Sequence, residues 1–383
     1  MPRSALRALV CRAQHTVLKT VAEMRIAPRL IAWQRVHGRH GLPWQQTKDP
    51  YRVWLSEIML QQTQVAAVID YYARFLKVFP TVKKLAQASS PEVMAQWAGL
   101  GYYARARNLH ACARRVVTEW NGIFPSTAQE LVTLPGIGPS TAAAIAAFCF
   151  GERAAILDGN VKRVFARHAG IEGDPSTRVV EQQLWAMARE QLPSARACNE
   201  DPDAMGSYTQ GLMDLGATLC TRSRPRCQEC PIRSDCVAYK EGRTEELPTA
   251  RARKTLPERS VTVMIAYRPG HILLEQRPAT GIWGGLWSLP EFSTDISNTD
   301  FCQSLGITTK EIQKLPAFLH VFTHYRLTIA PIIVHVKRPD LSTGRSGTQP
   351  SAQWVEINTL NSKGLPAPIR KLLDGLISDR VLK

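Results

Sequence analysis

The sequence predicts a multidomain chain, an all-α domain followed by a smaller α+β domain. Three observations carry this. A length of 383 residues favours two domains at roughly 150 residues each. From about Ile31 to Cys236 the apolar residues recur at helical spacing, without a run of alternating strands. After Arg259 the chain changes to short β-branched runs separated by Gly and Pro. Hydrophobic residues at 44% and charged residues at 21% exclude fibrous and wholly disordered classes. The longest apolar run, Ala142–Phe150, is about half of the roughly 20 residues a bilayer span needs, so no membrane role follows.

Taken in order, residues 1–25 read as an extension. Arg3, Arg7, Arg12 and Lys19 occur among residues 1–22 without an acid, and Leu6, Leu9, Val10, Val17, Leu18 and Val21 keep helical spacing. A mitochondrial presequence has this character, and so does an extension upstream of a start at Met24. Residues 26–236 form the helical domain, punctuated by Gly99-Leu100-Gly101 and Leu134-Pro135-Gly136-Ile137-Gly138. Residues 237–258 are polar and charged and contain Pro248 and Pro257, which is linker composition. Residues 259–375 form the second domain, with strands expected at Ser260–Tyr267, His271–Glu275 and Leu327–Val334.

Charge and cysteine usage narrow the chemistry. A formal charge of +16 attracts polyanions by counterion release, which makes nucleic acid the default partner. Of the 9 cysteines, Cys220, Cys227, Cys230 and Cys236 cluster with spacings x6, x2 and x5. An odd total with one tight cluster describes one metal site in a reducing compartment rather than a disulfide framework. Four thiolates suit structural zinc or an iron–sulfur cluster equally well. Arg222, Arg224, Arg226 and Arg233 lie among them and would offer guanidinium groups to phosphates.

Three further patterns carry chemistry. Thr127 and Glu130 form a capping box ahead of Gly136 and Gly138, and a second helix starts at Pro139, a helix-hairpin-helix pattern. Its glycines permit a sharp turn and close approach to another molecule, and the next helix N-terminus offers N–H groups to an anion. Glu57 lies in a helix over Tyr51–Leu60 with Val53, Trp54 and Leu60 as neighbours, an apolar stripe that raises a carboxyl pKa. Such a glutamate ordinarily reaches solvent at the stripe edge. Asp158 ends the apolar run Ala154–Leu157 and precedes a helix start, where N–H groups favour the ionised form. Two carboxyls with pKa values pushed apart can protonate a leaving group while stabilising developing positive charge.

With these residues on the page, the chain closely resembles the MutY-type adenine DNA glycosylases from about residue 30 to the C-terminus. The likeness rests on Leu42-Pro43-Trp44, the run Val53–Val65, Gly99–Arg107, the hairpin, Leu157–Val164 and the four cysteines. Bacterial members begin shortly before the first of these motifs, which favours the Met24 start. The resemblance implies a helix-hairpin-helix glycosylase domain with a [4Fe–4S] cluster on Cys220, Cys227, Cys230 and Cys236, and a Nudix-like domain that checks the opposite base. The implied substrate is adenine mispaired with 8-oxoguanine or guanine in double-stranded DNA, flipped out of the stack.

Residue by residue, Glu57 matches the general acid, Asp158 the carboxylate that stabilises the oxocarbenium ion, and Asn160 a polar residue near the sugar. Gln61 and Gln62 match positions inserted into the duplex, and Tyr102 an aromatic wedge, with Arg105 and Arg107 at hand for phosphates. Ser140 stands where relatives that also cut the backbone carry a lysine, so a monofunctional glycosylase is expected, with Lys162 a source of weak incidental trapping. Phe322, Thr323 and His324 match a Phe-Ser-His loop that reads 8-oxoguanine. Paired glutamates of a catalytic Nudix helix are missing between Phe292 and Lys314. A monomer in the bacterial cytoplasm is expected, with the mitochondrion as alternative. The competing readings are an endonuclease III-like glycosylase/lyase acting on oxidised pyrimidines, a non-catalytic iron–sulfur DNA-binding protein, and a Nudix hydrolase.

Overall fold

The structure, a computed structural model, describes residues 25–251, 255–278, 280–309, 311–336 and 352–382. The extension read over residues 1–24 lies outside the described residues. Two compact units result: the described residues within Met1–Gln61 together with Glu119–Ala252, and those within Gln62–Thr118 together with Arg253–Lys383. The helical stretch therefore divides between both units, where the sequence suggests one uninterrupted domain.

In the first unit, helix α1 (Ala27–His37) precedes α2 (Pro50–Leu60). Asp49 caps α2 by accepting from the Tyr51 N–H at 3.0 Å, and Pro50 occupies the first turn, where no N–H is needed. Its buried face, Val53, Trp54, Leu55, Ile58 and Met59, is the stripe around Glu57. Past the second unit's helices come α7 (Ala128–Leu131) and α8 (Pro139–Phe150), joined by the glycine hairpin. Thr127 accepts from the Glu130 N–H at 3.2 Å, as the capping box predicts. Helix α8 is apolar all round and buried from Ala142 to Ala147, the behaviour of a core helix. Helix α9 (Gly159–Ala169) starts at Asp158 and stops at Gly170, whose φ of +67° is the left-handed cap that glycine adopts freely.

Helices α10 (Arg178–Glu190), α11 (Ala195–Glu200) and α12 (Ala204–Asp214) follow, and α12 runs into a π-helical turn, Leu215–Leu219, directly before Cys220. Leu30, Ala144, Leu157, Val161, Phe165, Leu184, Tyr208 and Leu212 share one core. Helix α13 (Val237–Lys240) opens the segment that composition marks as linker. That segment is instead packed as far as Thr249: Ala238 and Leu247 are buried, Arg243 pairs with Glu172, Glu241 and Glu246, and Thr249 accepts from the Gly173 N–H.

In the second unit, α3 (Val65–Val78), α4 (Val82–Gln87), α5 (Ser90–Trp97) and α6 (Ala104–Glu119, its last residue in the first unit) join a mixed sheet. Strands β1 (Glu258–Arg268) and β7 (Arg326–His335) run parallel at its centre, in register from Glu258 with Arg326 to Tyr267 with His335. β2 (His271–Gln276), β3 (Trp287–Ser288) and β8 (Ala352–Glu356) extend it beyond β1, where β4 (Glu291–Phe292) also pairs. β5 (Ile312–Lys314) and β6 (Phe318–Val321) pair with β7. Both faces of β1 are buried along Val263–Ala266, which explains its continuous apolar run.

Helix α14 (Asn298–Ser304) packs Cys302 into the sheet core, and α15 (Ala367–Ser378) buries Ile369 and Leu373. Between β4 and β5, α14 carries one acidic residue, Asp300. The helices hold to the sheet domain through close contacts. A Cβ on Gly364 would lie 3.1 Å from backbone atoms of Met94 and Ala95, and Arg107 donates to the Gly284 carbonyl at 2.8 Å. Among the described residues no helix is long and apolar enough to cross a membrane.

Candidate active site

Glu57 sits one turn before the end of α2, against the stripe that the sequence predicts. Its side chain keeps partial exposure, but the protein packed around it strips water from the carboxyl. Burial first, and the neighbouring charge of Asp158 second, push its pKa up to about 8. Glu57 is consequently protonated at neutral pH and able to deliver that proton.

Asp158 is the N-cap of α9, and its Oδ1 accepts from the Val161 N–H at 2.8 Å. Here the structure corrects the expectation of a depressed pKa: burial dominates and raises it. The N–H groups of Val161 and Asn160, and the charge of Arg163, oppose that rise without reversing it. The two carboxyls are still unequal. Glu57 has only raising influences, whereas Asp158 has three stabilisers of its anion, so Asp158 is the group equipped to carry negative charge.

The surroundings hold Asp158 in place. Ser140 at the start of α8 accepts from the Leu157 N–H at 3.0 Å, fixing the backbone just before the aspartate. Asn160 Oδ1 accepts from Arg163 Nη2 at 2.9 Å, and the same guanidinium donates to the carbonyls of Gly216 at 2.6 Å and Cys220 at 2.7 Å. Gly216 permits this approach, since a Cβ there would lie 2.7 Å from Asn160 Cβ. Sequence reasoning missed Arg163 and Gly216; the glycine before the first cysteine was visible, but its neighbour was not. Lys162, read as a source of trapping, donates to Glu181 Oε1 at 2.6 Å in an ion pair.

The Cys230 thiol is pushed up to about 12 by burial first, with the neighbouring Cys220, Cys236 and Cys227 adding to the rise. Arg167 Nη1 lies 3.4 Å from Cys220 Sγ and donates to the Thr221 carbonyl at 2.7 Å, so a buried cation faces the thiol group. Donor chemistry and a compensating charge fit a multi-thiolate metal cluster. Among the described residues the sulfurs do not draw together into a closed ligand shell. Of the interleaved arginines, Arg226 is engaged with Glu229 and Arg233 with Gln228, while Arg222 and Arg224 are exposed.

Gln61 follows α2 with Nε2 3.4 Å from Thr141 Oγ1, at the start of α8. Gly136 has φ +77°, the left-handed turn its identity anticipates, whereas Gly138 is extended and a Cβ there would meet nothing within 4 Å. In the second unit Gln62 and Tyr102 adopt left-handed φ values of 59° and 49°, which non-glycine residues adopt infrequently. Tyr102 is 44% exposed and is not a core residue.

Arg105 and Arg107 depart from the phosphate-binding expectation. Arg105 is buried, bonds Thr63 Oγ1 at 3.0 Å and the Leu100 and Gly101 carbonyls at 3.2 Å, and lies 5.6 Å from the Tyr102 ring centroid. It braces the loop from beneath, and Arg107 is turned to Gly284. Phe322, Thr323 and His324 form the turn between β6 and β7, closed by Phe322 N–H donating to the Tyr325 carbonyl at 2.9 Å. Thr323 and His324 are exposed at its tip.

A helical fold with an acid-and-carboxylate pair, joined to a sheet domain, defines a base-excision repair class, and the comparisons agree. Residues 55–190 match the family model described as HhH-GPD superfamily base excision DNA repair protein, and residues 261–375 match that of the NUDIX domain. The fold of a thermostable thymine-DNA glycosylase superposes with a TM-score of 0.50 at 26% identity, covering 57% of this chain and 98% of that one. An adenine DNA glycosylase of Buchnera aphidicola (Schizaphis graminum) is 33% identical, covering 90% of this chain and 96% of its own length. The human adenine DNA glycosylase is also 33% identical, over 90% of this chain and 72% of its own length. The chain belongs to the adenine DNA glycosylase family, and is a DNA N-glycosylase of base-excision repair.

Proposed function

We propose that this glycosylase removes adenine mispaired with 8-oxoguanine or guanine, and that it does so without cutting the backbone. The observation that carries the reading is the placing of the Glu57 carboxyl, desolvated within the apolar stripe of α2, in the field of Asp158, whose Oδ1 accepts from the Val161 N–H at the start of α9. With adenine flipped between them, Glu57 gives its proton to a ring nitrogen while the C1′–N9 bond breaks and its electrons move into the purine. Asp158 stabilises the positive charge left on the sugar, and Asn160, held by Arg163, lies two residues further along the same helix. Water then adds to C1′ and yields its proton to the Glu57 carboxylate, restoring the acid.

Ser140 has no amine and cannot form a Schiff base, and the Lys162 amine is engaged with Glu181, which supports a monofunctional enzyme. Gln61, Gln62 and Tyr102 enter the duplex, with Gly136 and Gly138 close to its backbone. Phe322, Thr323 and His324 read the opposite base; the hydroxyl of Thr323 replaces that of a serine. A [4Fe–4S] cluster on Cys220, Cys227, Cys230 and Cys236 would pin the loop that carries Arg222 and Arg224. The protein acts as a monomer in the cytoplasm of a bacterium.

The test uses duplexes holding one central adenine opposite 8-oxoguanine, guanine or thymine, with abasic sites revealed by alkali. Adenine is expected to leave opposite the first two and not opposite thymine, with no strand cut before alkali. Equal release from all three, or cleavage without alkali, would overturn the reading. Iron and sulfide analysis of the same sample is expected to find both; zinc alone would overturn the cluster.

A further inference from the structure

In the second unit, a chain of contacts runs from the Tyr102 loop to the β6–β7 turn. Arg107 lies one turn into α6, and its guanidinium, half-buried beside the sheet domain, donates Nη1 to the Gly284 carbonyl at 2.8 Å. Burial lowers its pKa, and its described hydrogen bond is to a carbonyl. The accepting turn is tightly closed. Gly284 N–H donates to Gly281, Gly285 N–H to Pro278 and Leu286 N–H to Trp283.

Within that turn Trp283 adopts φ +56° while only 6% exposed, a conformation that bulky residues hold only when their surroundings impose it. Its ring lies 5.6 Å from that of Phe322 and 6.0 Å from that of His320, and His320 meets Phe322 edge-on at 4.5 Å. The other side of the turn rests on α5, where a Cβ on Gly285 would meet Met94 Cε at 3.7 Å.

We infer that Arg107 is a positioning residue for opposite-base discrimination: by holding Gly284 it sets Trp283, the wall behind Phe322, and so ties the Tyr102 loop to the Phe322-Thr323-His324 turn. The inference rests on the proposal that this turn reads the base opposite adenine. It assigns Arg107 a role in discrimination and none in bond breaking.

The test uses the full chain as wild type, Arg107→Ala, Arg107→Lys and Phe322→Ala. Affinity and single-turnover adenine release are measured on A·8-oxoguanine and A·G duplexes, with thermal unfolding alongside. In Arg107→Ala the ratio of affinities for the two duplexes is expected to fall about ten-fold, the scale of one charge-assisted hydrogen bond. Release from A·G at saturating enzyme is expected to stay within about two-fold of wild type. Arg107→Lys restores a charged N–H donor and is expected to recover most of the ratio. An unchanged ratio in Arg107→Ala, while Phe322→Ala lowers it, overturns the link alone. An unchanged ratio in Phe322→Ala overturns the reading of the turn and the link with it. Equal losses on both duplexes together with a lower melting temperature would make Arg107 merely structural and also overturn the inference.

Discussion

Replacing Glu57 by glutamine should make the protein more stable, and increasingly so as pH rises. The folded pKa of about 8 stands above the ordinary 4.5. Between those values the folded protein keeps a proton that the unfolded chain has lost, so wild-type stability falls with rising pH across that window. Above about pH 8 both states are ionised and the fall stops. The full difference corresponds to about 5 kcal/mol at 1.36 kcal/mol per pH unit. Partial exposure of the side chain relieves some of it, leaving about 3 kcal/mol. Glutamine keeps the shape and stays neutral, so Glu57→Gln should gain roughly that amount on wild type between about pH 5 and about pH 9. Urea unfolding at both ends of the range measures it, since every other titrating group is common to the two proteins. A pH-independent difference, or a variant that loses ground at the alkaline end, would refute the reasoning.

Other perturbations test the surrounding framework. Asp214 is fully buried and accepts from Arg39 Nε at 2.7 Å and Gln210 Nε2 at 2.8 Å. Asp214→Ala should cost about 1–3 kcal/mol in thermal unfolding by leaving Gln210 and the partly exposed Arg39 without their acceptor, and an unchanged melting temperature would contradict this. Gly216→Ala places a Cβ 2.7 Å from that of Asn160. It should cost about 1–3 kcal/mol and slow adenine release well below the melting temperature, whereas wild-type values in both would make the close approach irrelevant. Tyr102→Ala removes a side chain that is 44% exposed. It should alter stability by less than about 1 kcal/mol while weakening mispaired-duplex affinity about ten-fold, and unaltered affinity would exclude Tyr102 from the interface.

Local signals made much of the fold legible. The Thr127 cap on the Glu130 N–H, Pro139 at a first turn, the sharp turn at Gly136 and the helix start after Asp158 all depend on residues within a few positions of one another, and each is found; the Glu130 side chain meets the Thr127 hydroxyl rather than completing the box on its N–H. The strands at Ser260–Tyr267 and Leu327–Val334 were visible for the same reason. Long-range partners were not. Arg107 meets a carbonyl 177 positions away, and nothing in Gly-Tyr-Tyr-Ala-Arg-Ala-Arg distinguishes that from a phosphate contact. The segment from Val237 to Thr249 has linker composition, yet its anchors, Glu172 and Gly173, are supplied by remote chain. The pKa of Asp158 went astray because capping is local while burial is a property of the packed whole.

The central claim is that a protonated Glu57 and an anionic Asp158 together break the bond between adenine and deoxyribose. Single-turnover adenine release from an A·8-oxoguanine duplex, with binding measured in parallel, tests it most directly on wild type, Glu57→Gln and Asp158→Asn. The account predicts rates lower by about 1000-fold or more in each variant, with affinity for the duplex largely kept. Release at the wild-type rate by either variant, under conditions where it binds the duplex, would contradict the account.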